Sequence, residues 1–139
     1  MKISTKGRYG LRVMLDLAVF GEEKFVSLTD VAHRQEVSLK YLESIISSLK
    51  SAGLVESTRG KSGGYRLTKT PSEYTVGEIL KSAEGDLAPV SCLTSDEPCP
   101  HAEECLSLPI WEGLDRLIDA YLESITLEQV MNKKVNVNG

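Results

Sequence analysis

The chain has 139 residues, 41% of them hydrophobic and 26% charged, a balance that permits one real core and excludes disordered and collagen-like classes. Its net charge of −4 hides a division, because residues 1–70 hold twelve Lys and Arg against seven Asp and Glu, and residues 71–139 hold four against thirteen. A basic first half suits contact with phosphate, and an acidic second half is kept away from it.

Residues 5–20 read as a helix with a broad apolar surface made by Tyr9, Leu11, Val13, Met14, Leu15, Leu17 and Ala18. Lys6, Arg8 and Arg12 sit near its start, where positive charge opposes the helix dipole, so phosphate contact competes with plain solvation as their reason. Ser27-Leu28-Thr29-Asp30 then gives a serine cap with an acid three residues on, opening a helix that stops near Gln35 and Glu36. A second helix begins at Ser38. Leu39, Leu42, Ile45, Ile46 and Leu49 form its apolar stripe, and Lys40, Glu43, Ser44, Ser47 and Lys50 its polar face. Such a narrow, hydrogen-bonding face fits a major groove. Gly53 supplies the left-handed residue that ends the helix.

Beyond Gly53 the period changes to that of strands. Leu54-Val55-Glu56-Ser57 and Tyr65-Arg66-Leu67 flank a glycine-rich basic tip carrying Arg59 and Lys61. Placed directly after a helix-turn-helix, this hairpin reads as a wing whose tip reaches phosphate or the minor groove. The predicted DNA-contacting residues are Ser38, Lys40, Tyr41, Glu43, Ser44, Arg59 and Lys61.

Residues 68–74 read as a polar connector containing Pro71, and Thr75-Val76-Gly77-Glu78 as a capping box opening a short helix that Gly85 closes. From 87 to 106 periodicity disappears, and all three cysteines lie there. Pro109 suits a first helical turn. Trp111, Leu114, Leu117, Ile118, Tyr121, Leu122 and Ile125 then trace one apolar stripe. A lone helix cannot leave so much apolar surface wet. Part of it is expected on the first helix, and the rest, through Trp111, Leu114, Ile118, Tyr121 and Ile125, against a second copy. The expected architecture is mainly α. A winged helix-turn-helix DNA-binding region covers 1–85, a cysteine loop 86–107, a long C-terminal dimerisation helix with a terminal turn 108–132, and a flexible tail 133–139. No apolar run approaches membrane-spanning length and no apolar signal core precedes Tyr9, so a cytoplasmic protein with no membrane partner is expected.

Cys92, Cys99 and Cys105 are spaced C-x6-C-x5-C. Three cysteines in a reducing compartment argue for metal or redox use rather than a disulfide framework. Close C-x2-C pairs of structural zinc are absent. Wider spacing can wrap a larger object, and on residues alone an iron–sulfur cluster, zinc and thiol-based redox sensing stay open. A zinc-dependent metalloenzyme with His101 near the cysteines finds no general base or nucleophile site to support it, and Gly60 to Gly64 lacks the ending of a phosphate-binding loop. No enzyme activity is expected.

The opening Met1-Lys2-Ile3-Ser4-Thr5-Lys6-Gly7-Arg8-Tyr9 resembles that of the IscR/NsrR/CymR superfamily of bacterial winged-helix regulators. So do Ser38-Leu39-Lys40-Tyr41-Leu42-Glu43, Arg59-Gly60-Lys61-Ser62-Gly63-Gly64-Tyr65, Thr75-Val76-Gly77-Glu78-Ile79 and the Trp111 helix followed by Ile125-Thr126-Leu127. The similarity runs from residue 1 to about 132. It implies a homodimeric transcription factor, with long C-terminal helices crossing at the interface, that reads pseudo-palindromic double-stranded DNA. The IscR branch is the most similar, which implies a repressor, able also to activate, that controls iron–sulfur assembly genes through a 2Fe–2S cluster. A nitric-oxide or redox-sensing repressor is the alternative.

The cysteine loop departs from the IscR pattern in two respects, a first gap one residue longer and Leu108 where that branch places a histidine ligand. Arg8 stands where some nitric-oxide and related redox sensors use an acid. His101 is joined to Cys99 through a single rigid proline, which restricts the pair's reach around one cluster. Glu97, Glu103 and Glu104 read as a solvated acidic loop. Glu43 is out of place on a DNA-reading face unless it accepts from cytosine N4. The resemblance implies a cluster loop close to the helix-turn-helix of the dimer. Glu43 is therefore the expected fourth ligand beside Cys92, Cys99 and Cys105, with His101 its rival.

Overall fold

The computed structural model describes residues 3–22, 24–61, 63–85, 87–93 and 100–138. The first helix, α1 (Thr5–Gly21), is capped by the Ser4 hydroxyl accepting from the Gly7 N–H at 3.1 Å. Its buried face holds Val13, Met14, Leu17 and Ala18. Helix α2 (Leu28–Gln35) is capped by Ser27, and α3 (Leu39–Ser51) by Ser38. The turn between them passes through Glu36 in the left-handed region, φ 55°. Gly53, φ 76°, releases α3 into the wing, as a residue without a Cβ should.

The wing strands β1 (Val55–Thr58) and β2 (Gly64–Leu67) pair antiparallel, with Val55 opposite Leu67 and Thr58 opposite Gly64. Val26 adds a one-residue third rung, exchanging two backbone hydrogen bonds of 2.8 Å with Tyr65. That rung ties the entry to α2 onto the wing, so helices and hairpin form one unit.

Helix α4 (Val76–Glu84) packs along α1, where a side chain at Gly10 would bring a Cβ to 2.9 Å from the Ala83 Cβ. Helix α5 (Leu108–Glu123) follows the cysteine loop, and α6 (Leu127–Met131) opens on a complete capping box between Thr126 and Gln129. The chain returns to its middle here. The Val76 N–H donates to the Ile125 carbonyl at 2.8 Å, and the Leu127 N–H to the Tyr74 carbonyl at 3.0 Å.

Three expectations need correction. The 68–74 connector is not merely polar. Pro71–Glu73 is a 3-10 turn, and Tyr74 is fully buried, its hydroxyl accepting from the Thr68 and Lys69 N–H groups at 2.9 Å and donating to the Leu54 carbonyl at 2.8 Å. Leu39 is not in the stripe of α3, because it is 43% exposed while Leu42, Ile45, Ile46 and Leu49 fill the core. The tail is docked in part, with Val135 against the Val76, Leu80 and Ile125 cluster and the Lys134 N–H donating to the Gln129 carbonyl.

Candidate functional site

The first site is the face made by α3 and the wing. Lys40, Glu43 and Ser44 are exposed on α3. The Ser38 hydroxyl accepts from the Tyr41 N–H at 3.1 Å, leaving its proton free to donate to a base or phosphate. Tyr41 is half-buried against Tyr9 of α1, ring centroids 6.0 Å apart and 82° between planes, and the Arg12 guanidinium lies 4.6 Å over the Tyr9 ring. Arg12 also donates to the Gln35 side chain at 2.8 Å, which anchors a cation of α1 beside the helix-turn-helix. The Arg8 guanidinium donates back to Thr5.

Arg59 and Lys61 stand exposed at the wing tip, which the Gly63 N–H closes on the Gly60 carbonyl at 3.0 Å. Neither has an ion-pair partner among the described residues. Arg66 differs. It is bound to Glu56 at 2.6 Å and lies 4.3 Å over the Phe25 ring, so it serves the hairpin. Lys50, expected only on the polar face of α3, donates to Ser57 at 2.8 Å and links that helix to the wing. Its position at the end of α3, one glycine turn before a strand, is the signal that would have found it.

The second site is the cysteine loop. Cys92 lies in a short 3-10 turn (Ser91–Leu93) after α4, and Cys105 just before α5; both are free, partly exposed thiols. The Ser107 hydroxyl, 3.4 Å from the Cys105 Sγ, and the Ser107 backbone hold that thiol below its ordinary range and favour the thiolate. Cys99 lies outside the described residues, as does Glu97. His101, Glu103 and Glu104 are exposed in turns. Among the described residues, no three His, Cys, Asp or Glu side chains lie close enough together to hold a metal, so Cys92, Cys105 and Glu43 do not converge within one chain.

The third is the outer face of α5, where no described residue is fully buried. Leu114 and Tyr121 are exposed, Trp111 and Ile118 half-buried, and Ile110 and Leu117 stand 63% and 70% exposed. Ile125 does not belong with them. It follows the helix, is 9% exposed and packs on Val76 and Leu80 inside its own chain.

The model of the Rrf2 family, described as an iron-dependent transcriptional regulator, matches residues 3–133. The chain belongs to the Rrf2 family. Rrf2 relatives include the HTH-type transcriptional regulator IscR of Aliivibrio salmonicida, 39% identical over 131 residues that cover 94% of this chain and 77% of that one. The structure of T. potens IscR is similar with a TM-score of 0.76 and 38% identity, covering 97% of this chain and 89% of its own. CymR, the global cysteine regulator of B. subtilis, is similar with a TM-score of 0.72 and 39% identity, covering 96% and 98%. This Rrf2 protein is a DNA-binding transcriptional regulator and not an enzyme, and its mainly helical fold with a two-stranded wing is the one expected. No helix among the described residues is long and apolar enough to cross a membrane.

Proposed function

We propose that this Rrf2 regulator acts as a homodimer on pseudo-palindromic DNA and senses iron–sulfur cluster status through a bound 2Fe–2S cluster. It represses, and at some promoters activates, the genes of cluster assembly. The observation that carries the reading is the state of the thiols: Cys92 and Cys105 are unpaired, partly exposed and outside both apolar clusters. Packing does not explain them, and a thiol that ligates iron must be reachable and deprotonated. The hydrogen bonding of Cys105 to Ser107 acts in that direction. Because Cys92, Cys105 and Glu43 do not converge within one chain, Cys92, Cys99 and Cys105 would hold the cluster with Glu43 reaching it across the homodimer as fourth ligand, and His101 is the rival for the last place. When bound, the cluster supplies an iron centre whose presence depends on redox state and iron supply.

What this chain adds is the double use of Glu43. It is exposed on α3, as are Lys40 and Ser44, the residues proposed with it to read bases. A carboxylate held as a ligand cannot at the same time accept from a cytosine amino group, so ligation and base reading exclude one another. Anaerobic reconstitution, followed by an absorption spectrum and iron and sulfide counts, tests the proposal. The expected result is a coloured protein with equal iron and sulfide, lost in Cys92→Ala. A colourless protein with stoichiometric zinc would overturn it. A reconstituted protein that ignores assembly promoters and releases DNA on exposure to nitric oxide would favour the nitric-oxide sensor instead.

A further inference from the structure

Leu39 is the first residue of α3, directly after the capping Ser38, and is 43% exposed. The apolar contacts around this helix start are made without it. Val37, one residue before the cap, packs on the main core, and Leu42, Ile45, Ile46 and Leu49 complete the buried face. Leu39 instead shares an edge of α3 with Glu43, one turn further on, since residues four apart are neighbours on a helix surface. Its flanking residues Ser38 and Lys40 are polar and exposed. An aliphatic side chain set among hydrogen-bonding groups on a DNA-facing helix has one base-edge partner of its own chemistry, the C5-methyl group of thymine.

We propose that Leu39 is a specificity-determining residue, packing on the C5-methyl of a thymine in the major groove. The proposal rests on α3 being the reading helix. Leu39 and Glu43 lie about 6 Å apart along the helix axis, four residues at about 1.5 Å each. Base pairs rise about 3.4 Å each. The thymine therefore lies within two base pairs of the pair that Glu43 faces. Shape selects here as well as chemistry: cytosine at that position offers a bare C5–H, and the leucine loses a contact of about one methyl group.

The test begins with a site selected from random duplexes by the purified full chain. Each thymine is then replaced in turn by deoxyuridine, which removes only the methyl group, and binding is measured for the wild type and for Leu39→Ala. At one thymine in each half-site the wild type is expected to lose about fourfold in affinity, the factor for one methyl-sized group removed from water. Leu39→Ala should bind the unmodified site more weakly by a similar factor and show no further loss with deoxyuridine at that position. A wild type insensitive to every replacement, or equal losses in both proteins, overturns the role of Leu39. A Leu39→Ala protein that turns monomeric while keeping the methyl effect also overturns it, and assigns the residue to a subunit contact. Failure of the underlying reading looks different: Glu43→Ala and Ser44→Ala would then leave the selected sequence unchanged.

Discussion

Arg34 of α2 grips Asp16 of α1 with both arms of its guanidinium, Nε at 3.0 Å and Nη2 at 2.7 Å, while the Gln35 amide donates to the same carboxylate at 3.0 Å. Asp16 is 3% exposed, yet its charge is fully engaged; Arg34 keeps one side in water and lies over the Phe20 ring. The clamp fixes the first helix of the helix-turn-helix on α1. Removing the arginine strands a buried carboxylate, so Arg34→Ala should cost about 3 kcal/mol. Asp16→Asn keeps one acceptor and leaves Arg34 access to water, so it should cost roughly half as much. Urea unfolding midpoints decide the order, and a larger loss in Asp16→Asn would refute the account.

Tyr74 makes a comparable tie with neutral groups. Its hydroxyl satisfies two N–H donors, Thr68 and Lys69, in the segment that leaves the wing and the Leu54 carbonyl where the chain enters it. Tyr74→Phe keeps the ring in place and leaves those groups short of partners. The expected cost is about 2 kcal/mol, read from the same unfolding curves. A value within error of zero would mean that water enters and replaces the hydroxyl.

The helix starts at Ser27, Ser38 and Thr75, the left-handed Gly53 and the buried stripe of α3 are all local, and local signals carry over from sequence to structure. The Asp16 clamp and the Tyr74 bond to the Leu54 carbonyl were not legible, because those partners lie 18 and 20 residues away and no periodicity encodes a partner. An acid inside the apolar stripe of α1 was the available sign of a clamp. Leu39 fits the three-and-four spacing but sits at the first helical position, where the chain has not yet turned onto the core. Thr75 shows the same limit. Its hydroxyl accepts from the Glu78 N–H as a cap should, and also donates to Glu123 at 2.8 Å, a long-range tie that the local motif does not contain. The cysteine loop has no regular period, and its chemistry was visible only as residue types.

The wing holds two arginines in different surroundings. Among the described residues Arg59 has no ion-pair partner at the tip, whereas Arg66 is tied to Glu56 and Phe25. Arg59→Ala should weaken binding to all sites alike and reduce the salt slope by about 1, the signature of one lost phosphate contact. If Arg59 enters the minor groove, the loss is larger at A·T-rich flanks. Arg66→Ala should leave the slope unchanged and lower stability instead. Binding isotherms over a salt series check both.

Lys81 joins α4 to α5 through Asp119 and through Glu123 at 3.3 Å, and these partners raise its pKa above the ordinary lysine value. A raised lysine stabilises the fold fully below its unfolded pKa, about 10.4, and loses that contribution as pH rises through the folded value. The stability gap between wild type and Lys81→Met should therefore be flat from pH 7 to 10 and shrink above that. The pair is partly exposed, so the gap itself should be small. Unfolding series across alkaline pH measure it, and a gap that widens above pH 10 would reverse the assignment.

The outer face of α5 is the surface proposed for assembly. Ile110 and Leu117 are well over half exposed, with Leu114 and Tyr121 beside them, and no residue of the helix is buried within its own chain. An uncovered face of this kind on a 16-residue helix is better accounted for by a second copy than by solvent. Ile118 is half-buried and lines a cleft with Lys81, Asp115 and Asp119. An aspartate there would put a carboxylate next to Asp115 and Asp119 and, in a dimer, into an apolar contact. Ile118→Asp should weaken association by several kcal/mol, since an unpaired charge is then desolvated. The isolated chain should keep its fold, because neither apolar cluster contains Ile118. Sedimentation equilibrium with circular dichroism separates the outcomes: a folded monomer supports the interface, and a folded tight dimer places it elsewhere.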